Sequence, residues 1–81
     1  MANKLLRTVR RLSTARKIAK RKIVTIFLKT TNGYFETGER KGQIAKHIIR
    51  GRDYEIYDGE FYNYQNTLRE NQRVERIDST I

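Results

Sequence analysis

From Ile23 to Leu28 the chain reads Ile-Val-Thr-Ile-Phe-Leu, and no stretch restricts the fold more. β-Branched and aromatic side chains in unbroken succession favour a strand. Successive side chains alternate across a strand, so Val24, Ile26 and Leu28 share one face and Ile23, Thr25 and Phe27 the other. With apolar groups on both, the strand is expected to be covered on two sides or to lie at an interface between copies. Extended character continues to Thr31, and Asn32-Gly33 follows. Both residues accept the positive φ of a two-residue type I′ turn, which predicts a hairpin with Tyr34 to Thr37 as its second strand.

Ahead of this strand, residues 4–22 have the spacing of a basic amphipathic helix. Leu5, Val9, Leu12, Ala15, Ala19 and Ile23 fall on one arc, and Lys4, Arg7, Arg10, Arg11, Lys17, Arg21 and Lys22 on the opposite one. Ser13 is a candidate cap for a second helical segment starting at Ala15. Residues 1–35 hold ten basic side chains and no acid, whereas the remainder holds eight basic and all nine acidic ones. A helix with so much charge of one sign repels itself, at a few tenths of a kcal/mol for each close like pair. A polyanion removes that repulsion.

Beyond the first hairpin, Gly38 ends the second strand and residues 41–50 have the spacing of a short helix. Ile44, Ala45, Ile48 and Ile49 form its buried face, His47 lies mid-helix at its surface or boundary, and Gly51 stands where a left-handed residue terminates it. Tyr54 to Tyr57, Asp58-Gly59 and Glu60 to Tyr64 predict a second hairpin, with Ile56 opposite Phe61 and Glu55 opposite Tyr62. From Gln65 the chain is polar. Leu68, Val74, Ile77 and Ile81 make a thin apolar stripe, suited to a marginal helix or a frayed tail. The expected architecture is a small α+β domain in the order α-β-β-α-β-β with two β-hairpins and a loose or helical C-terminal tail. Residues 1–22 form its basic helix or arm, 23–64 its core and 65–81 its polar tail.

A chain of 81 residues is one domain at most, and one this small buries only about 60% of the surface its unfolded form exposes. Cysteine is absent, which excludes disulfides and thiolate metal sites and fits a cytoplasmic setting, or the host cytoplasm for a viral protein. One histidine leaves too few ligands for a zinc site, so no metal or cofactor is expected. The missing staple is then a partner: a second copy, a larger assembly or the ligand. The run at 23–28 is far too short to span a bilayer, and membrane binding is not expected. Glu36 with Glu39, and Asp58 with Glu60, have no His or Cys neighbour at useful spacing. Gly38 and Gly42 lack the ending of a phosphate loop. Neither catalysis nor a small-molecule substrate is expected.

The net charge of +9, concentrated at one end, points to nucleic acid. Lys4, Arg7, Arg10, Arg11, Arg16, Lys17, Lys20, Arg21 and Lys22 are the candidate phosphate contacts, with Lys29 and Asn32 added near the first hairpin's tip. DNA is slightly favoured over RNA, because a helix and a ribbon both suit a major groove. Tyr54, Tyr57, Tyr62 and Tyr64 are the candidate partner interface, tyrosine being common at interfaces. The size and composition suggest an accessory protein of a phage or mobile element. The competing expectation is an inhibitor or adaptor that docks its basic helix and tyrosine-rich hairpin on an acidic surface of a larger enzyme.

Overall fold

The computed structural model describes residues 4–77, in which β1 (Leu5–Val9), α1 (Leu12–Ala19), β2 (Val24–Tyr34), β3 (Ile44–Asp58) and β4 (Gln72–Ile77) follow one another. The strands form one antiparallel sheet in the order β1-β3-β2-β4. It is a small α+β domain, mostly sheet. The central pair is long: the fifteen residues of β3, at roughly 3.3 Å each, run the length of a molecule 49 Å along its major axis.

β2 grows from the apolar run, and both of its faces are covered. On one, Val24 and Ile26 meet Val9 and Ile56 beneath α1, whose Ala15 is fully buried; Ile18, Ala19, Tyr54 and Ile77 close the cluster. On the other, Phe27 and Tyr57 lie under the irregular segment between β3 and β4. Phe61 and Tyr64 of that segment bring their ring centroids to 5.4 and 5.2 Å from Phe27. Thr25 fastens the segment's start, donating to the Gly59 carbonyl at 2.8 Å and accepting from the Phe61 N–H at 3.1 Å. No second copy is needed to cover the strand.

Several expected elements differ. The helix predicted over 4–22 keeps only its second half, since Arg7, Thr8 and Val9 pair with Ile56, Glu55 and Tyr54 of β3. The spacing of Leu5 and Val9, four residues apart, fits one face of a strand as well as of a helix, and sheet pairing decides. Ser13 is no cap: Arg11 is the extended cap residue, without a side-chain bond, and Ser13 lies in the first turn. Residues 41–50 are not helical but open β3. The hairpin predicted at Asn32-Gly33 turns later, because β2 runs through both residues and Gly38 and Gly42 take the positive φ values of 83° and 86°. Asp58-Gly59 does end β3, with Gly59 at φ 83°. No strand returns at once, however, so Ile56 faces Ile26 instead of Phe61, and Glu55 faces Phe27 instead of Tyr62. Gln72–Ile77, expected in the tail, pairs with β2 instead. Ile81 lies outside the described residues.

Beyond Thr31 the pairing with β4 stops, and before Tyr54 there is no pairing with β1. Residues 32–50 are therefore a two-stranded arm extending past the four-stranded body. Its root is a bulge: Asn32 pairs with Ile49, but Gly33 already pairs with Ala45. The buried Asn32 amide donates to the Lys46 and Ile48 carbonyls across this bulge at 3.2 and 3.3 Å. Gly33 is needed for space, since a Cβ there would stand 2.8 Å from Ile48 Cγ2 and 2.9 Å from Arg50 Nε. Gly33→Ala is expected to cost about 1–3 kcal/mol. Gly51→Ala, whose Cβ meets nothing within 4 Å, is expected to stay within about 0.5 kcal/mol of the parent. Urea midpoints of the two variants check this pair.

Candidate nucleic-acid interface

The sequence concentrates cations ahead of β2, and folding spreads them over four consecutive pieces of the chain. Arg7 lies on the edge strand β1, Arg10 and Arg11 at the corner leading into α1, Arg16 and Lys17 on the helix, and Lys20 and Arg21 in the turn after it. All seven are exposed, and among the described residues none has an acid within ion-pair distance. The helix supplies the register. Ala15, Ile18 and Ala19 turn toward the sheet, which leaves Arg16, Lys17 and Lys20 outward.

Three shallow hollows connect five of these side chains, Arg7, Arg16, Lys17, Lys20 and Arg21, while Arg10 and Arg11 line none of the three. One of about 230 Å³ is lined by Arg7, Thr14, Lys17, Ile18 and Arg21, so a strand cation and two from the helix region share it. A second, of about 430 Å³, lies among Leu12, Ser13, Arg16, Lys17 and Lys20. A third, of about 510 Å³, has Lys20, Arg21 and Lys22 on its wall with Glu60 opposite. Lys17 and Lys20 each border two hollows, which makes the basic surface continuous. Guanidinium and ammonium groups spaced in this way suit a run of phosphates, because arginine matches phosphate bidentately and both release condensed counterions.

The other candidate residues are placed differently. Lys4 is exposed just ahead of β1. Lys22 is paired with Asp58 at 3.4 Å, both half-exposed. Lys29 is half-buried, with its ammonium 3.8 Å from a Glu55 carboxylate oxygen. Asn32 is not at a hairpin tip. It is buried, its amide is committed to the bulge, its carbonyl accepts from Asn71 at 2.7 Å and its Oδ1 from Arg73 at 3.3 Å. Lys29 and Asn32 thus belong to the internal frame.

The tyrosines are largely internal as well. Tyr57 is buried and Tyr64 half-buried, and both phenols donate to the Glu55 carboxylate, Tyr57 at 2.9 Å. Burial first, and then the Glu55 carboxylate, raises both phenol pKa values above the ordinary 10. Asn66 donates in turn to the Tyr57 oxygen. Tyr54 packs against the helix-side core. Tyr62 alone of the four is exposed, beneath the Arg76 guanidinium at 4.3 Å from its ring centre.

Five further cations lie on the arm or at its root. Arg40 and Lys41 are in its turn, Lys46 and Arg50 on its β3 side, and Arg52 just behind it. Gly38 and Gly42 flanking Glu39-Arg40-Lys41 are the signal that marks this turn. The tip is braced: Arg40 lies over the Phe35 ring at 5.7 Å, Phe35 contacts the His47 ring at 5.4 Å, and Arg50 pairs with Glu36 at 3.1 Å. His47 is therefore an exposed strand residue whose ring packs at a tilt against Phe35, not a helical one.

Among the described residues no group of three or more His, Asp or Glu side chains could hold a metal ion, and no helix is long and apolar enough to cross a membrane. No family model, curated protein or solved structure matches the chain.

Proposed function

We propose that this chain is a non-catalytic nucleic-acid-binding protein that grips phosphates with the surface formed by β1, α1 and the turn after it. The observation that carries the reading is the meeting of Arg7 from β1 with Lys17 and Arg21 around one hollow, without an acid partner for any of them among the described residues. Exposed charge left unpaired within the fold is available to a polyanion, and the neutral remainder of the chain does not compete for it. Lys29 and Asn32 drop out of the grip, and Lys4 remains at its margin. An intracellular accessory role, in a phage or mobile element, is consistent with the size of the chain.

The test is a titration of labelled nucleic acid at several salt concentrations. Engagement of about seven phosphates gives a log–log slope near −6 on duplex DNA. The triple variant Arg10→Ala, Arg11→Ala, Lys17→Ala is expected to weaken binding to all sequences alike and to flatten the slope by about 3. A flat salt response, together with a stoichiometric protein partner, supports the rival adaptor reading instead. That rival retains one exposed aromatic anchor of its four, Tyr62.

A further inference from the structure

The arm is the part of the molecule that the phosphate grip leaves unused. A two-stranded ribbon standing alone is marginal in water. Here it is held out by a buried asparagine, a glycine with no room for a Cβ, and a braced tip. We infer that the arm lies in the major groove of duplex DNA, with a backbone phosphate seated in the arginine-lined hollow at its root; this rests on the phosphate-grip reading above.

Three observations carry it. The first is continuity. A hollow of about 330 Å³ at the root is lined by Arg10, Thr31, Arg50, Gly51, Arg52 and Asp53, so Arg10 of the basic surface meets two arginines of β3 there. One backbone can then pass from the corner ahead of α1 to the arm beside three arginines, with Asp53 the one acid on the wall. The second is charge. Residues 32–50 carry Arg40, Lys41, Lys46 and Arg50 against Glu36 and Glu39, and Glu36 is already held by Arg50. Glu39 is the tip's other acid, and in a major groove a carboxylate can accept from the amino group of cytosine.

The third is size. Paired strands lie about 4.8 Å apart, and the ribbon with its side chains fits a B-form major groove about 12 Å wide but not a minor groove about 6 Å wide. The major groove of A-form RNA is deep and too narrow for such side chains. The geometry therefore selects duplex DNA over both duplex RNA and single strands, neither of which offers the arm a seat.

The experiment compares the full chain with the double variant Arg40→Ala, Lys41→Ala on three probes of one sequence: duplex DNA, single-stranded DNA and duplex RNA. Both positions are exposed in the turn, and circular dichroism checks that the variant is folded. The parent is expected to bind duplex DNA at least tenfold tighter than the other probes. The variant is expected to lose about tenfold on duplex DNA alone and to lower the salt slope by about 2. Guanine N7 atoms, which face the major groove, are expected to be shielded from methylation by the parent and less so by the variant. Equal affinity for all probes, or a variant indistinguishable from the parent on duplex DNA, overturns the arm's placement while a steep salt slope keeps the phosphate grip. Absence of binding to any probe in dilute buffer overturns both. As a second variant, Arg52→Ala is expected to weaken duplex DNA binding alone, and an equal loss on single strands rejects the seat at the root.

Discussion

Phe27→Ala is expected to leave most of the chain unfolded at 25 °C. Phe27 is buried at the centre of β2, and the rings of Tyr57, Phe61 and Tyr64 all lie within 6 Å of it, centre to centre. Truncating a buried phenylalanine costs about 3–5 kcal/mol, part of it for the cavity left behind. A single small core supplies little more than that, roughly 5 kcal/mol. The cavity cannot easily close, because the segment that would collapse into it is tethered by Thr25 at one end and by Asn71 and Gln72 at the other. Phe27→Leu keeps apolar bulk but loses the edge-on ring contacts, and is expected to cost about 1–2 kcal/mol. Urea unfolding followed by far-ultraviolet circular dichroism separates the two variants. A folded Phe27→Ala chain with an unchanged midpoint would mean that the aromatic layer contributes little to stability.

That layer also shows where reading the residues in order succeeds and where it stops. Continuous apolar character from Val24 to Leu28 announces a strand covered on both sides, and both covers exist. It does not say what the second cover is. The irregular segment with Phe61 and Tyr64 has no periodicity, and its place is set by contacts with Phe27, more than thirty residues away in sequence, as well as with nearby Tyr57. The start of β3 is hidden for another reason. Three residues, Lys46 to Ile48, bulge between Ala45 and Ile49, which are the partners of Gly33 and Asn32. That interruption breaks strand alternation and leaves Ile44, Ala45, Ile48 and Ile49 at helical spacing.

Asn32-Gly33 misleads for a related cause, since both residues are used for a bulge, one for its amide and one for lack of a side chain. The cations of the grip were legible because no acid precedes Glu36. Their division among a strand, a corner and a helix was not, because Leu5 and Val9 satisfy both periods. Pairing with β3 resolves them only in three dimensions.

Glu55→Ala is the second change with a large expected effect, and it can be separated from mere loss of packing. Glu55 is a buried carboxylate on the same sheet face as Phe27 and beside Lys29, and it accepts hydrogen bonds from the Tyr57 and Tyr64 phenols. Alanine leaves two phenols without an acceptor and an ammonium without its partner, at a cost of about 3–5 kcal/mol. Glu55→Gln retains an acceptor oxygen of the same reach and is expected to cost less, about 1–2 kcal/mol. The pH dependence identifies the cause. Both phenols have pKa values raised above 10 in the fold, by burial first and by Glu55 next. Protons are thus held more tightly in the folded chain than in the unfolded one. The stability this provides is fully present below about pH 10 and is lost as pH rises through the folded values. Glu55→Gln removes the carboxylate contribution and leaves burial, so its loss of stability at alkaline pH is expected to be shallower. Its phenolate absorbance should also rise at lower pH than in the parent. An unchanged tyrosine titration in a folded Glu55→Gln chain would show that burial alone retains these protons, and that Glu55 anchors the segment only by geometry.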